Sequence, residues 1–284
     1  MTDGHNEMSS SSGWGMKTNR IIAITAVVFV TAGSAGCSAT AVTQKAGESA
    51  QSLVAALTHA SDEASRAGSA DISMTVATPD TGGKPVQMKG LYSWGNGLAM
   101  ETEMPAEDLQ MEDMVADGTV TMRLVQGAYY YHVDRIEDGP FKGKTWMKVE
   151  ASAVLGEKGA AGMNKANADP TAGLKGIKYA RDVSKIGRED VNGKSTVHYH
   201  ATVPTDKMGA NAEMYKGLGL TGEVVMDIWV DDKGTPARMN QVIGTSSYSI
   251  DFLSFGSRPT IEVPPAADTA DMTELYKQEL GSAA

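Results

Sequence analysis

The spacing of apolar residues changes along this chain, and each change marks an element. Residues 21–32, IIAITAVVFVTA, are one apolar run behind a short basic head, Lys17 to Arg20. From Ser49 to Arg66, Leu53, Ala56, Leu57, Ala60 and Ala64 recur at three- and four-residue spacing, which predicts an amphipathic helix ended by Gly68. From Asp71 the period becomes two. Ile72, Met74 and Val76 alternate with smaller or polar residues, and the 79–83 turn follows. Val86 to Trp94 puts Val86, Met88, Tyr92 and Trp94 on one face; after Gly95-Asn96-Gly97, Leu98, Met100, Thr102 and Met104 alternate with Ala99, Glu101 and Glu103.

Further strands are predicted at 119–125, 128–133, 145–149, 178–191, 194–203, 223–230, 236–243 and 248–255, with Asn192-Gly193 as a hairpin turn. Alternation puts Tyr129 and Tyr131 on one face and Tyr130 on the other. It likewise separates Tyr199, Ala201 and Val203 from His198 and His200. Residues 105–118 read as a loop or short helix, and 150–168 and 204–221 as flexible inserts, the first with helical pieces. Asp169-Pro170 reads as the start of a short helix running to about Ile177. The sum is about ten strands, two or three helices and no parallel βαβ unit. So large a sheet with one apolar face must curl or be covered. The fold class is therefore α+β: a strongly curved antiparallel half-barrel with helices packed in its concave face.

Composition adds a location. The single cysteine, Cys37, follows the apolar run directly after Ser34-Ala35-Gly36. A basic head, an apolar run and small residues make a secretory signal. With a cysteine at its end it resembles the lipobox of bacterial lipoproteins, although Ser34 stands where that family usually has leucine. The resemblance implies cleavage before Cys37, acylation of its thiol and anchoring to the extracytoplasmic face of the cell membrane. The other reading, a membrane span, needs about 20 apolar residues, more than this run offers. The chain then divides into an extension (1–15) upstream of a start at Met16, a signal (16–36), a tether (37–48), one domain (49–266) and an acidic tail (267–284). A net charge of −10 gives no electrostatic reason to bind nucleic acid. Methionine outnumbers phenylalanine 17 to 4. Methionine is unbranched and polarizable, so it suits either an irregular core or a deformable apolar cavity.

Candidate chemistry is sparse. There is no Gly-x-Ser-x-Gly elbow, no phosphate loop and no defensible catalytic set, so the reading is a non-enzyme without cofactor. His198 and His200 share a strand face but have no third ligand at local spacing, so no metal is assigned. Met100, Met104, Met111 and Met114 would serve Cu(I) only if they converged. The tyrosine row and Tyr92/Trp94 fit buried packing or a glycan platform.

A set of strings in fixed order follows the lipobox. They are Lys144-Thr145-Trp146-Met147-Lys148-Val149, Asp169-Pro170, Val183 through Gly193, Thr196-Val197-His198-Tyr199, Asp227-Ile228-Trp229-Val230-Asp231 and Ile261-Glu262-Val263-Pro264. Together they resemble the LppX/LprG family of actinobacterial lipoproteins, whose fold is like that of the periplasmic lipoprotein carrier LolA. The resemblance implies a cavity between sheet and helices that takes up acyl chains of lipids or lipoglycans and moves them through the envelope. Candidates for the cavity lining are Met74, Met88, Tyr92, Trp94, Leu98, Met100, Met104 and Met122; Leu155, Met208, Met214 and Leu218 are candidates for its mouth. The competing expectation is a closed core in an anchored interaction or envelope-sensing module. Its contact surface for an envelope protein would be the acidic set Glu101, Glu103, Glu107, Asp108, Glu112 and Asp113.

Overall fold

A computed structural model describes residues 49–165, 169–208, 211–217, 219–256 and 260–282. Helix α1 (Ala50–Ala67) begins where the Ser49 hydroxyl accepts the Ser52 N–H at 3.2 Å, and it ends at Gly68 in the left-handed conformation. Leu53, Leu57, Ala60 and Ala64 form its buried stripe. The first meander is β1 (Ser69–Ala77), β2 (Val86–Ser93), β3 (Ala99–Pro105), β4 (Thr119–Val125), β5 (Ala128–His132) and β6 (Trp146–Glu150), with α2 (Ala106–Leu109) between β3 and β4. Helix α3 (Ala151–Lys165) and a 3₁₀ helix (Ala172–Tyr179) lead to the second meander. That meander is β7 (Asp182–Val191), β8 (Lys194–Pro204), β9 (Glu223–Asp231), β10 (Pro236–Ile243) and β11 (Ser246–Phe255), with α4 (Asn211–Gly217) between β8 and β9. The chain closes with β12 (Thr269–Asp271) and α5 (Thr273–Ser282).

All twelve strands form one sheet in the order β12-β6-β5-β4-β3-β2-β1-β11-β10-β9-β8-β7. The two meanders meet where β1 pairs with β11, Ile72 opposite Phe252. The sheet is curved and unclosed. One face carries the alternating apolar residues of both meanders, and α1 and the 3₁₀ helix bury their own apolar residues against it in one core. Trp94 fastens the end of α1, its indole N–H donating to the Ala64 carbonyl at 3.2 Å.

Asp169 makes the second fastening. Its Oδ1 accepts the backbone N–H and the hydroxyl of Thr171, at 2.8 and 2.7 Å, while the Ser65 hydroxyl on α1 donates to Oδ2. The Ser61 hydroxyl donates to the Thr171 carbonyl at 3.0 Å. A buried carboxylate is costly unless it is hydrogen-bonded in this way. The helix expected after Asp169-Pro170 does form, but as a 3₁₀ helix starting at Ala172 with Thr171 as its cap.

Three expectations need adjustment. Among the described residues the strands number twelve rather than about ten, and β12 pairs with β6 in parallel, the exception in an otherwise antiparallel sheet. Residues 269–282, read from sequence as acidic tail, belong to the fold, and Ala270, Met272 and Tyr276 join the main core. A three-residue strand is too short to display a period. Residues 151–165 are helical, with a break at Gly156 (φ 69°, ψ 164°) that only glycine adopts readily.

Candidate functional site

Strand register builds the inner face row by row. One row runs across eight strands: Phe252, Ile72, Gly90, Thr102, Met122, Tyr131, Met147 and Ala270. Beside it Met74 stands opposite Met88, and Tyr92 opposite Met100. The register therefore brings the predicted lining residues together. Met74, Met88, Met100, Met104 and Met122 are each 1–2% exposed and share one cluster with Trp94. Tyr92 and Leu98 are half-buried against that cluster. Tyr92 meets Trp94 edge-on, ring centroids 5.6 Å apart. At such low exposure the five methionines are covered almost completely by the side chains around them.

Leu155 and Met208, from the two inserts, are buried in the same core. The inserts meet each other: α3 packs mainly on α4 and more lightly on β6 and α5. The side chain of Met214 and all of Leu218 lie outside the described residues, as do Cys37 and the signal and tether around it.

The tyrosine row is core rather than a surface platform. Tyr129 and Tyr131 face inward, and Tyr130 packs on the other face beneath Ile261. Burial, then the neighbouring phenols of Tyr129 and Tyr276, push the Tyr131 phenol well above its usual pKa and keep it neutral.

The outer face carries the polar chemistry. His198 Nε2 and His200 Nδ1 lie 2.9 and 3.0 Å from one oxygen, Asp227 Oδ1. His198 Nδ1 lies 2.8 Å from Glu189 Oε1, and Glu189 Oε2 accepts the Trp229 indole N–H at 2.8 Å. The His198 ring stacks on Trp229 at 4.2 Å. Burial opposes charge on Asp227 and Glu189, but their hydrogen bonds outweigh it and lower both pKa values. Local spacing did not reveal Asp227 or Glu189 as partners, because cross-strand register supplies both. Among the described residues no group of three His, Cys, Asp or Glu side chains is arranged to hold a metal ion. Of the four methionines weighed for Cu(I), Met100, Met104 and Met111 are core residues and Met114 packs against them.

The acidic set is partly neutralised. Arg123 pairs with Glu101 and lies 4.9 Å over the Trp146 ring. Glu103, Glu107, Glu112 and Asp113 are exposed. Burial, then Glu107, raises the Asp108 pKa. A trough of about 360 Å³ opens on this outer face over Asp71, Lys89, Glu101, Glu103 and Leu253.

No protein-family model matches the chain. A 31.2 kDa protein from the rplA–rplJ intergenic region of Streptomyces griseus is 27% identical over 253 residues, 80% of this chain and 81% of the relative. The Streptomyces coelicolor protein named "Putative lipoprotein SCO4650" is 28% identical over 227 residues, 75% of this chain and 73% of the relative. Among solved structures, lipoprotein LppX of Mycobacterium tuberculosis superposes with a TM-score of 0.51 at 16% identity, over 75% of this chain and 100% of LppX. The chain has the LppX fold. LprF of Mycobacterium bovis matches the same fold with a TM-score of 0.50 at 13% identity, over 76% of this chain and 98% of LprF. The likeness to LppX/LprG lipoproteins read from the ordered strings therefore stands. The LppX-like sheet sets the methionine cluster on its inner face and the His198–Asp227 network on its outer face.

Proposed function

We propose that this protein is a membrane-anchored, extracytoplasmic lipoprotein that takes acyl chains of a lipid or lipoglycan into its half-barrel and carries them through the cell envelope. The observation that supports this most is the inner face. It is a continuous, methionine-rich apolar surface inside an LppX-like sheet, beside two helical inserts that pack mainly on each other. Methionine repacks at low cost, so the filled interior is read as the ligand-free state and the α3–α4 pair as the element that moves aside. Burying an acyl chain yields about 0.8 kcal/mol per methylene, enough to hold a long chain without an ion pair. Cys37, carrying two or more acyl chains, would supply the anchor. No step of bond chemistry is part of this reading.

The test is to express residues 38–284 without the anchor in a bacterial host, extract the purified protein with organic solvent and record mass spectra. A lipid present in stoichiometric amount supports the carrier. A clean extract, together with no binding of a fluorescent fatty-acid probe, refutes it. That outcome favours the second reading, an anchored interaction or envelope-sensing module. The near-zero exposure of the inner methionines is the observation on its side. Its contact surface would be the exposed carboxylates Glu103, Glu107, Glu112 and Asp113.

A further inference from the structure

Thr102 and Tyr131 carry the hydroxyls of the eight-strand row of the inner face. Thr102 is 0% exposed, and its hydroxyl is a buried polar atom without a hydrogen-bond partner among the described residues. Its row neighbours are Gly90 and Met122, and Met100 and Met104 flank it along β3. None of these side chains accepts a strong hydrogen bond. A hydroxyl buried unpaired costs stability, and valine would fill the same volume without that cost. Nor does the position need a small residue in the way Gly90 does. A Cβ on Gly90 would fall 2.0 Å from the Glu101 carbonyl oxygen, so the β2 and β3 backbones cross closely beside Thr102.

We infer that the Thr102 hydroxyl is an internal anchor that donates a hydrogen bond to the ester carbonyl of an acylated ligand. This rests on the carrier reading and narrows its cargo. The buried polar side chains among the described residues include no lysine or arginine. A free fatty-acid carboxylate at this depth would meet no counter-charge, whereas a neutral ester needs a single donor. The flexible thioethers of Met100, Met104 and Met122 part to admit the chain, and the ester then meets the Thr102 hydroxyl, which among the described residues is the one buried there without a partner. The cargo class that follows is a neutral acyl ester.

The experiment uses the anchor-free protein (residues 38–284) and its Thr102→Val variant. Two pyrene-labelled probes of equal length serve as ligands, a fatty-acid methyl ester and an alkane. Wild type should bind both probes. Thr102→Val should bind the ester about five- to tenfold more weakly and the alkane unchanged, the loss of one hydrogen bond. The ligand-free variant should melt at or above the wild-type temperature. If both probes bind and the variant treats them as wild type does, the anchor is wrong and the carrier reading survives. A variant that melts several degrees lower has lost a partnered hydroxyl, and that also overturns the anchor. If wild type binds neither probe, the carrier reading falls and the anchor with it.

Discussion

His198 Nε2 lies 2.9 Å from Asp227 Oδ1 although the residue opposite His198 in the strand pairing is Trp229. The contact is diagonal, and Glu189 meets the other ring nitrogen from β7. A neutral imidazole has one N–H, so both contacts are hydrogen bonds only when the ring is doubly protonated. Burial opposes that charge, but the hydrogen bonds to Asp227 and Glu189 outweigh it and raise the His198 pKa. The network's contribution from His198 is thus full below the unfolded value of about 6.5 and is lost as pH rises through the folded value. The contribution from Asp227 and Glu189 is present above about pH 4.5 and is lost as pH falls through their lowered values. His198→Gln should therefore lower the melting temperature clearly at about pH 6 and much less at about pH 9. Equal losses at the two pH values would contradict a charged ring.

Asp169→Ala removes the acceptor for Thr171 and Ser65 and loosens the tie between α1 and the 3₁₀ helix. The expected cost is about 2–4 kcal/mol in urea unfolding, because several hydrogen bonds to one buried carboxylate go together. Asp169→Asn, which keeps an acceptor oxygen, should recover part of it.

Gly90→Ala places its Cβ 2.0 Å from the Glu101 carbonyl oxygen, where the neighbour is backbone and cannot swing away. β2 and β3 must then separate locally. The variant should lose about 3 kcal/mol or more, or fail to fold, as read by circular dichroism and melting.

Cys37→Ser should shift the full-length protein from the membrane to the soluble fraction on cell fractionation and abolish labelling by radioactive palmitate. Persistent membrane association without label would point to residues 21–32 acting as an uncleaved anchor.

Much of this was legible in the sequence because it is carried by local period. α1 and its Gly68 stop, the alternation through β1, β2 and β3, and the opposed faces of Tyr129 and Tyr130 all follow from spacing within one element. The methionines from Met74 to Met122 fall on one face of their strands for the same reason and share one core cluster. What spacing cannot carry is register between strands distant in sequence. Glu189 and Asp227 come to His198 that way, and nothing near His198 in the chain announces either. The β12 strand hid behind its brevity, and α3 behind its glycines, which weaken helix propensity and blur the period. Thr102 fits the alternation as an inward residue, but only its surroundings show that its hydroxyl has no partner among the described residues.

The sheet ends in two very different margins, three-residue β12 on one side and ten-residue β7 on the other, and they do not meet. In a closed barrel the number of strands and their stagger fix the bore. Among the described residues no hydrogen-bonded seam joins β12 to β7, so strand count imposes no fixed girth. β7 is exposed on both faces, carries a bulge between Lys185 and Gly187, and leaves Ile186 57% exposed. Its ties to the rest of the fold include the β8 ladder, a contact with α1 and the packing of Val183 on the core. The space inside the concavity is therefore set by α1, the 3₁₀ helix and the insert helices that occupy it rather than by strand number.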